Sequence, residues 1–352
     1  MSERRIARRQ ALSRAGSFVA GTLAAAQLPG SAAAVRLAPR DQLVNVLEYE
    51  DQVKRVLAGD AYAAIEGGDR SAFDRITLRP RMMVPVLDLD LSLTLLGQTL
   101  FAPILVAPVA QQARFHPDAE RATLKGAFAA KTVAMVSSHS SVPLAELASE
   151  RDRTIWYQVF AQDASARARM QDAVKAGCKA ICVTLGAPPA SKGARPVPSA
   201  MKADLAALDA LIPGVDVPVL VKGVATPEDA TLALQHGAQG LIVSNYAGPA
   251  GARRDAMILT LPAIVDAVAG RAPVLVDGSF RRGTDILKAL AFGAKAVLVG
   301  RPVMWGLAAY GADGVQGVLE MLQTELARYM AMCGKSNLAM LDRALLRVHR
   351  AS

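Results

Sequence analysis

Eight short apolar runs recur along this chain, and nearly all of them end in a polar or small residue. They read Pro103-Ile-Leu-Val-Ala-Pro108, Val133-Ala-Met-Val-Ser-Ser138, Ile155-Trp-Tyr-Gln-Val-Phe160 and Ala180-Ile-Cys-Val-Thr-Leu185. Pro218-Val-Leu-Val-Lys-Gly223, Gly240-Leu-Ile-Val-Ser-Asn245, Pro273-Val-Leu-Val-Asp-Gly278 and Ala296-Val-Leu-Val-Gly-Arg301 complete the set. Continuous apolar runs of this length suit strands buried on both faces of a parallel sheet. Most intervals carry helical patterning and have room for one helix. Eight strand–helix units in sequence predict an α/β fold, a (β/α)8 TIM barrel. The active site of such a barrel lies at the C-terminal ends of its strands. The positions to inspect are therefore Ser137, Ser138, Gln158, Thr184, Lys222, Ser244, Asn245, Asp277 and Arg301.

A chain of 352 residues can hold one large barrel or two ordinary domains, and the even spacing favours one barrel. Hydrophobic residues make up 52% and charged residues 20%, which fits a packed enzyme and not a disordered chain. Residues 1–34 carry Arg4, Arg5, Arg8, Arg9 and Arg14 against Glu3, so much of the net charge of +9 sits in that segment. No basic strip interleaved with aromatics appears, so nucleic acid is not an expected partner. Cys178, Cys182 and Cys333 lack metal-ligand spacing, and no metal is expected.

The first segment reads as a targeting signal. Arg8-Arg9-Gln10-Ala11-Leu12 precedes an uncharged apolar stretch from Gly16 to Leu28, which Pro29-Gly30 breaks before the small residues Ser31-Ala-Ala-Ala34. That order fits a signal peptide of the twin-arginine type. The expected organisation is a leader over 1–34 and a barrel over 35–352, with export to the periplasm. The plainer readings are a disordered basic arm on a cytoplasmic protein, or an uncleaved signal acting as a membrane tether.

After the seventh run comes Asp277-Gly-Ser-Phe-Arg-Arg-Gly-Thr-Asp285, with a helix opening at about Thr284; after the eighth comes Gly300-Arg301-Pro302. Barrels often hold a phosphate between these two loops, near a helix N-terminus. Backbone amides of Gly278, Ser279, Gly300 and Arg301 can approach phosphate oxygens, and Arg281 and Arg301 can add charge-assisted bonds. The plainer reading is a solvated helix start formed by Arg281, Arg282 and Asp285.

Further motifs align in order along the chain. They are Glu48-Tyr49-Glu50, Ala72-Phe73-Asp74-Arg75-Ile76, Leu78-Arg79-Pro80-Arg81, Gly97, Ala107-Pro108, and His116-Pro117 with Glu120. Ser137-Ser138, Val221-Lys222-Gly223-Val224, Glu228-Asp229-Ala230 and Ile242-Val243-Ser244-Asn245 follow, then Arg281-Arg282-Gly283-Thr284-Asp285, Lys288-Ala289-Leu290 and Gly300-Arg301-Pro302. From about Asn45 to Gly334 the chain resembles the FMN-dependent 2-hydroxy acid oxidases and dehydrogenases. The resemblance implies an FMN cofactor and a small-molecule substrate, a 2-hydroxy acid such as L-lactate or glycolate. It also implies an electron acceptor that the residues do not identify, and a homo-oligomer that no single residue decides. By the same resemblance Pro108, Val109 and Ala110 back the flavin ring. Ser137, Gln158, Thr184 and Ser244 line its polar edge, and Lys222 balances charge on the reduced ring. Asp277, Gly278, Ser279, Arg281, Gly300 and Arg301 hold ribityl and phosphate. Ser279 stands where the family usually has a second glycine.

The substrate side departs from the family. The catalytic base expected directly after Ser244-Asn245 is a histidine, and Tyr246 stands there; a carboxylate-binding arginine expected three residues on is Pro249. A tyrosine expected at 160 is Phe160, and the aspartate that orients the base is Gly186. Unaided, a phenol such as Tyr246, with an ordinary pKa near 10, is a poor base at neutral pH; Lys222 close by would lower that value. Of the four histidines, His139 follows Ser137-Ser138, where the family places a substrate-pocket aromatic, and is the one expected to face the flavin, as a relocated base or a polar contact. Its plainer role is a rim residue. Lys222, Tyr246 and His139 are thus the catalytic candidates, and Tyr62, Arg195 and Arg253 the substrate-contact candidates. Three classes remain open: an FMN oxidoreductase with altered substrate or chemistry, a flavin-binding barrel without hydroxy acid oxidation, and a phosphate-ligand barrel without flavin.

Overall fold

The computed structural model of the chain describes residues 36–81, 84–149, 154–186, 188, 201–245 and 257–349. Every one of the eight apolar runs forms a strand. They are β1 (Ile104–Val106), β2 (Ala134–Ser137), β3 (Ile155–Phe160), β4 (Ala180–Thr184), β5 (Val219–Val224), β6 (Gly240–Val243), β7 (Val274–Asp277) and β8 (Ala296–Val299). Each pairs in parallel with its sequence neighbours, and β8 returns to β1 through Val297–Ile104, Leu298–Leu105 and Val299–Val106 to close the barrel. Closure leaves no edge strand, and both faces of each strand are covered, which is why the runs are apolar without alternation.

The crossover helices are α1 (Ala119–Ala129), α2 (Leu144–Leu147), α3 (Ala166–Lys175), α4 (Met201–Leu211), α5 (Pro227–Gln235), α6 (Met257–Val268), α7 (Gly283–Ala291) and α8 (Arg301–Met332). Among the described residues the interval between β2 and β3 carries a four-residue helix. The helix start of α5 is written locally: Thr226 and Asp229 form a reciprocal capping box with Pro227 at the first turn. Such a cap stabilises a helix by about 1 kcal/mol. α8 is bent at Tyr310 and Gly311, where Gly311 takes a φ of 57°.

Alternation along the strands decides what enters the barrel. Leu105, Met135, Trp156, Cys182, Leu220, Ile242, Leu275 and Leu298 form one buried cluster inside it, distinct from the cluster that packs strands against helices. An antiparallel hairpin, Leu93–Leu95 with Gln98–Leu100, joins that inner cluster through Leu95 and Leu100. Trp156 Nε1 donates to Gln98 Oε1 at 3.0 Å, so the buried indole has its partner. This fills the N-terminal end of the barrel and leaves the other end for chemistry. A second antiparallel pair, Ile76–Leu78 with Leu346–Val348, ties the two ends of the folded chain together.

Candidate active site

Side chains on a strand repeat with a period of two, so the residues two places beyond the inner apolar layer also point inward. They are Ser137, Gln158, Thr184, Lys222, Ser244 and Asp277. The first five are buried, at 1–4% exposure, and Asp277 is half-buried. One apolar layer is thus roofed by one polar layer, drawn from six strand ends.

The polar layer is internally bonded. Ser137 Oγ donates to Gln158 Oε1 at 2.9 Å, and Gln158 Nε2 donates to Thr184 Oγ1 at 2.9 Å. Lys222 Nζ lies 2.7 Å from Asp277 Oδ2 and donates to Ser244 Oγ at 2.8 Å. Burying an ammonium costs several kcal/mol unless it is paired, and Asp277 supplies the pair. A β-bulge at Gly223 shifts the register between Lys222 and Val224 against β6. Gly223 there has a φ of 107°, and a side chain on it would press on Leu185 Cβ at 3.3 Å. The bulge ends regular pairing just past Lys222, so the lysine is the last β5 side chain to follow the inward alternation.

The phosphate end of the site is built from three arginines. Arg281 is 2% exposed; its guanidinium lies 4.6 Å from the Trp305 ring centre and donates to Phe280 O at 2.9 Å and to Gly67 O at 3.5 Å. Arg301 Nη1 also donates to Gly67 O, and its Nη2 to Ser279 Oγ at 3.5 Å. Arg70 Nη2 pairs with Asp285 Oδ2 at 2.8 Å. Burial first, then the nearby charges of Arg301 and Arg70, bring the Arg281 pKa down from 12.5 to about 9. Arg281 is thus held among like charges, with Glu50 and Asp285 opposing them. Beside it the backbone is open: a Cβ built on Gly278 would meet nothing within 4 Å. Ser279 keeps a φ of 57°, so the backbone retains the glycine-like turn even though the glycine is gone. Pro108, Val109 and Ala110 are half-buried beyond β1, and Gly300 lies beside Val109 at the β8–β1 seam. The donor set fits FMN: a polar rim for the ring, Lys222 at its edge, and arginines with open backbone turns for the phosphate.

A second tier follows: Phe160 ends β3, and His139 and Gly186 lie in the loops two residues past the ends of β2 and β4. His139 meets the Phe160 ring edge-on at 5.5 Å, and the His139 amide donates to Ser137 Oγ at 3.2 Å. Gly186 has a φ of 93°, and its amide donates at 2.9 Å to the buried carboxylate of Asp204, from the first turn of α4. Gln162 Nε2 donates to the same carboxylate oxygen at 3.0 Å. Tyr62 is half-buried, and its hydroxyl donates to Glu50 Oε1 at 3.1 Å. Tyr246, Pro249, Arg253 and Arg195 lie outside the described residues. Among the described residues no group of three or more His, Cys, Asp or Glu could hold a metal. A surface groove of about 460 Å³ is lined by Tyr49, Arg282, Glu325 and Arg328, and by none of the six side chains of the polar layer.

The sequence reading missed Arg70, Gly67 and Asp204. Arg70 and Asp285 stand 215 positions apart, and no local pattern joins them. Gly67-Gly68-Asp69 marks a turn, but only the fold brings the Gly67 carbonyl to both phosphate-side arginines.

The profile of the FMN-dependent dehydrogenase family matches residues 58–204 and 198–348. A peroxisomal (S)-2-hydroxyacid oxidase of Arabidopsis thaliana is 36% identical over 340 residues, covering 84% of this chain and 93% of that protein. The L-lactate oxidase of a Nostoc species is 36% identical over 356 residues, covering 86% of this chain and 98% of that protein. Among solved structures, mandelate oxidase superimposes with a TM-score of 0.79 at 32% identity, covering 88% of this chain and all of the other.

Proposed function

The chain belongs to the FMN-dependent dehydrogenase family, and from that membership we propose that it oxidises a small 2-hydroxy acid by a route that differs from its relatives in how the proton is removed. The observation that carries this is the contrast between two successive layers at the strand ends. The lower layer, Ser137, Gln158, Thr184, Lys222, Ser244 and Asp277, has the residues a flavin needs, bonded to one another and, Asp277 apart, buried. In the upper layer Phe160 has no hydroxyl and Gly186 no carboxylate.

FMN, when bound, accepts the two electrons that leave the substrate carbon. Arg281, Arg301 and the turn at Gly278-Ser279 would hold its phosphate, and Ser137, Gln158 and Thr184 would fix its polar edge. Lys222 is a preorganised cation, and it offsets negative charge arriving there without rearrangement. Arg195 and Arg253 are the proposed partners of the substrate carboxylate.

The test is the visible spectrum of purified protein, followed by anaerobic addition of L-lactate, glycolate and mandelate. A flavin band that bleaches slowly with one of these acids supports the reading. A flavin band that none of them bleaches favours a binding protein without hydroxy acid oxidation, the reading for which the bare Gly186 and Phe160 also speak. We further propose that residues 1–34 direct export to the periplasm by the twin-arginine route. That route carries folded proteins, so the barrel can take up FMN first.

A further inference from the structure

We propose that His139 is the proton acceptor of this site, with Nε2 turned to the substrate and the imidazole held by Ser138 and Arg169. The proposal rests on the oxidation of a 2-hydroxy acid argued above and names the residue through which it runs.

His139 stands in the turn two residues past the end of β2, where its amide donates to Ser137 Oγ of the polar layer at 3.2 Å. Its Nδ1 shares a hydrogen bond with Ser138 Oγ at 3.1 Å, and Nε2 has no partner among the described residues. The ring is steered by the edge-on contact with Phe160. The backbone beneath it is pinned from both sides. Gln111 N donates to His139 O at 3.0 Å, and Ser138 N to Gln158 O at 2.7 Å. Arg169, in the first turn of α3, donates from Nη1 to Ser138 O at 2.6 Å and from Nε to Ser165 Oγ at 2.7 Å. A half-buried imidazole with one nitrogen tied, one nitrogen open and a fixed backbone is the arrangement a general base needs.

Its protonation is set by the groups that face it. Burial and the Arg169 charge lower its pKa from the usual 6.5, and Asp163 opposes them. The imidazole is therefore neutral at neutral pH, and its proton-accepting form persists to lower pH than a free histidine allows. In the step, the substrate O–H bond breaks and its proton passes to Nε2. The electron pair of that bond becomes the second C–O bond, and the C2–H bond breaks with its electron pair leaving as hydride. The two electrons of that hydride are those the bound cofactor accepts, and the product is a 2-oxo acid.

His139→Gln should retain wild-type FMN content and lower the rate of anaerobic flavin reduction by about a hundred-fold or more. The fall in wild-type rate on the acid side should vanish with it. Arg169→Gln should move that fall to higher pH, because the nearby positive charge is gone, and Arg169→Lys should restore it. Independently of turnover, the His139 imidazole resonance should titrate below 6.5 in wild type and rise in Arg169→Gln. If FMN-loaded wild type is reduced and His139→Gln matches it in rate and pH profile, the proposal fails and the oxidase reading stands. If FMN-loaded wild type is reduced by no 2-hydroxy acid, both fall together.

Discussion

Replacing Arg281 by Met should act in opposite directions on the empty and the FMN-loaded protein. In the empty site the guanidinium is buried beside Arg301 and Arg70, and its pKa falls from 12.5 to about 9. At about 1.4 kcal/mol per unit, the charged form is disfavoured by at most about 5 kcal/mol. Glu50 and Asp285 are already included in that balance, and water at the barrel mouth screens the repulsion further, so about 2 kcal/mol is the working figure. Against it stands the loss of the stack on Trp305, about 1 kcal/mol. Arg281→Met should thus leave the apoprotein as stable as wild type or about 1 kcal/mol more stable. The same change removes charge-assisted bonds to phosphate worth about 1.5–3 kcal/mol, so FMN should bind about 10- to 150-fold more weakly. The sign with pH follows. Below about 9 the group is charged in both native and unfolded states, and its cost is fully present. Above that pH the lowered native pKa lets the cost fade, and wild type gains on the variant. Urea unfolding of apoprotein and fluorescence titration with FMN measure the two effects. An apoprotein destabilised by more than about 2 kcal/mol, or an FMN affinity within two-fold of wild type, would refute the reasoning about the arginine cluster.

Lys222→Met should leave the Asp277 carboxylate without its cation, cost about 3 kcal/mol of stability, and lower the flavin reduction potential; calorimetry and spectroelectrochemistry check the two parts. Gly186→Asp, alone or with Tyr246→His, should not restore the family's base and its orienting carboxylate. The position has a φ of 93° and its amide is bound by Asp204, so the new carboxylate meets strain and a like charge. A loss of about 2 kcal/mol without faster flavin reduction is expected, and a stable, faster double variant would contradict it. Changing Arg8→Lys together with Arg9→Lys should strand the precursor in the cytoplasm, which cell fractionation reads directly.

The barrel, its strand ends and its phosphate loops were legible because they are local. An apolar run records burial on both faces, and the residue that ends the run lies at the mouth. Lys222, Gln158, Asp277 and Arg301 could therefore be named from position alone. Gly186 shows the limit of that reading. In the sequence it reads only as a missing aspartate. In the fold it is a left-handed turn whose amide belongs to a carboxylate eighteen residues on, in α4.

The sequence by itself determined the eight strands, their order, and which side chains stand at the catalytic end, because period and polarity act over a few residues. Tertiary structure decided which of those side chains meet. It brought Arg70 to Asp285, set Arg281 and Arg301 on one carbonyl of Gly67, paired Lys222 with Asp277, and laid His139 against Phe160 with Arg169 behind it. These are contacts between strand ends, loops and helices separated in the chain. Their geometry follows from barrel closure, which fixes strand ends as neighbours, and charge then selects among the side chains placed there.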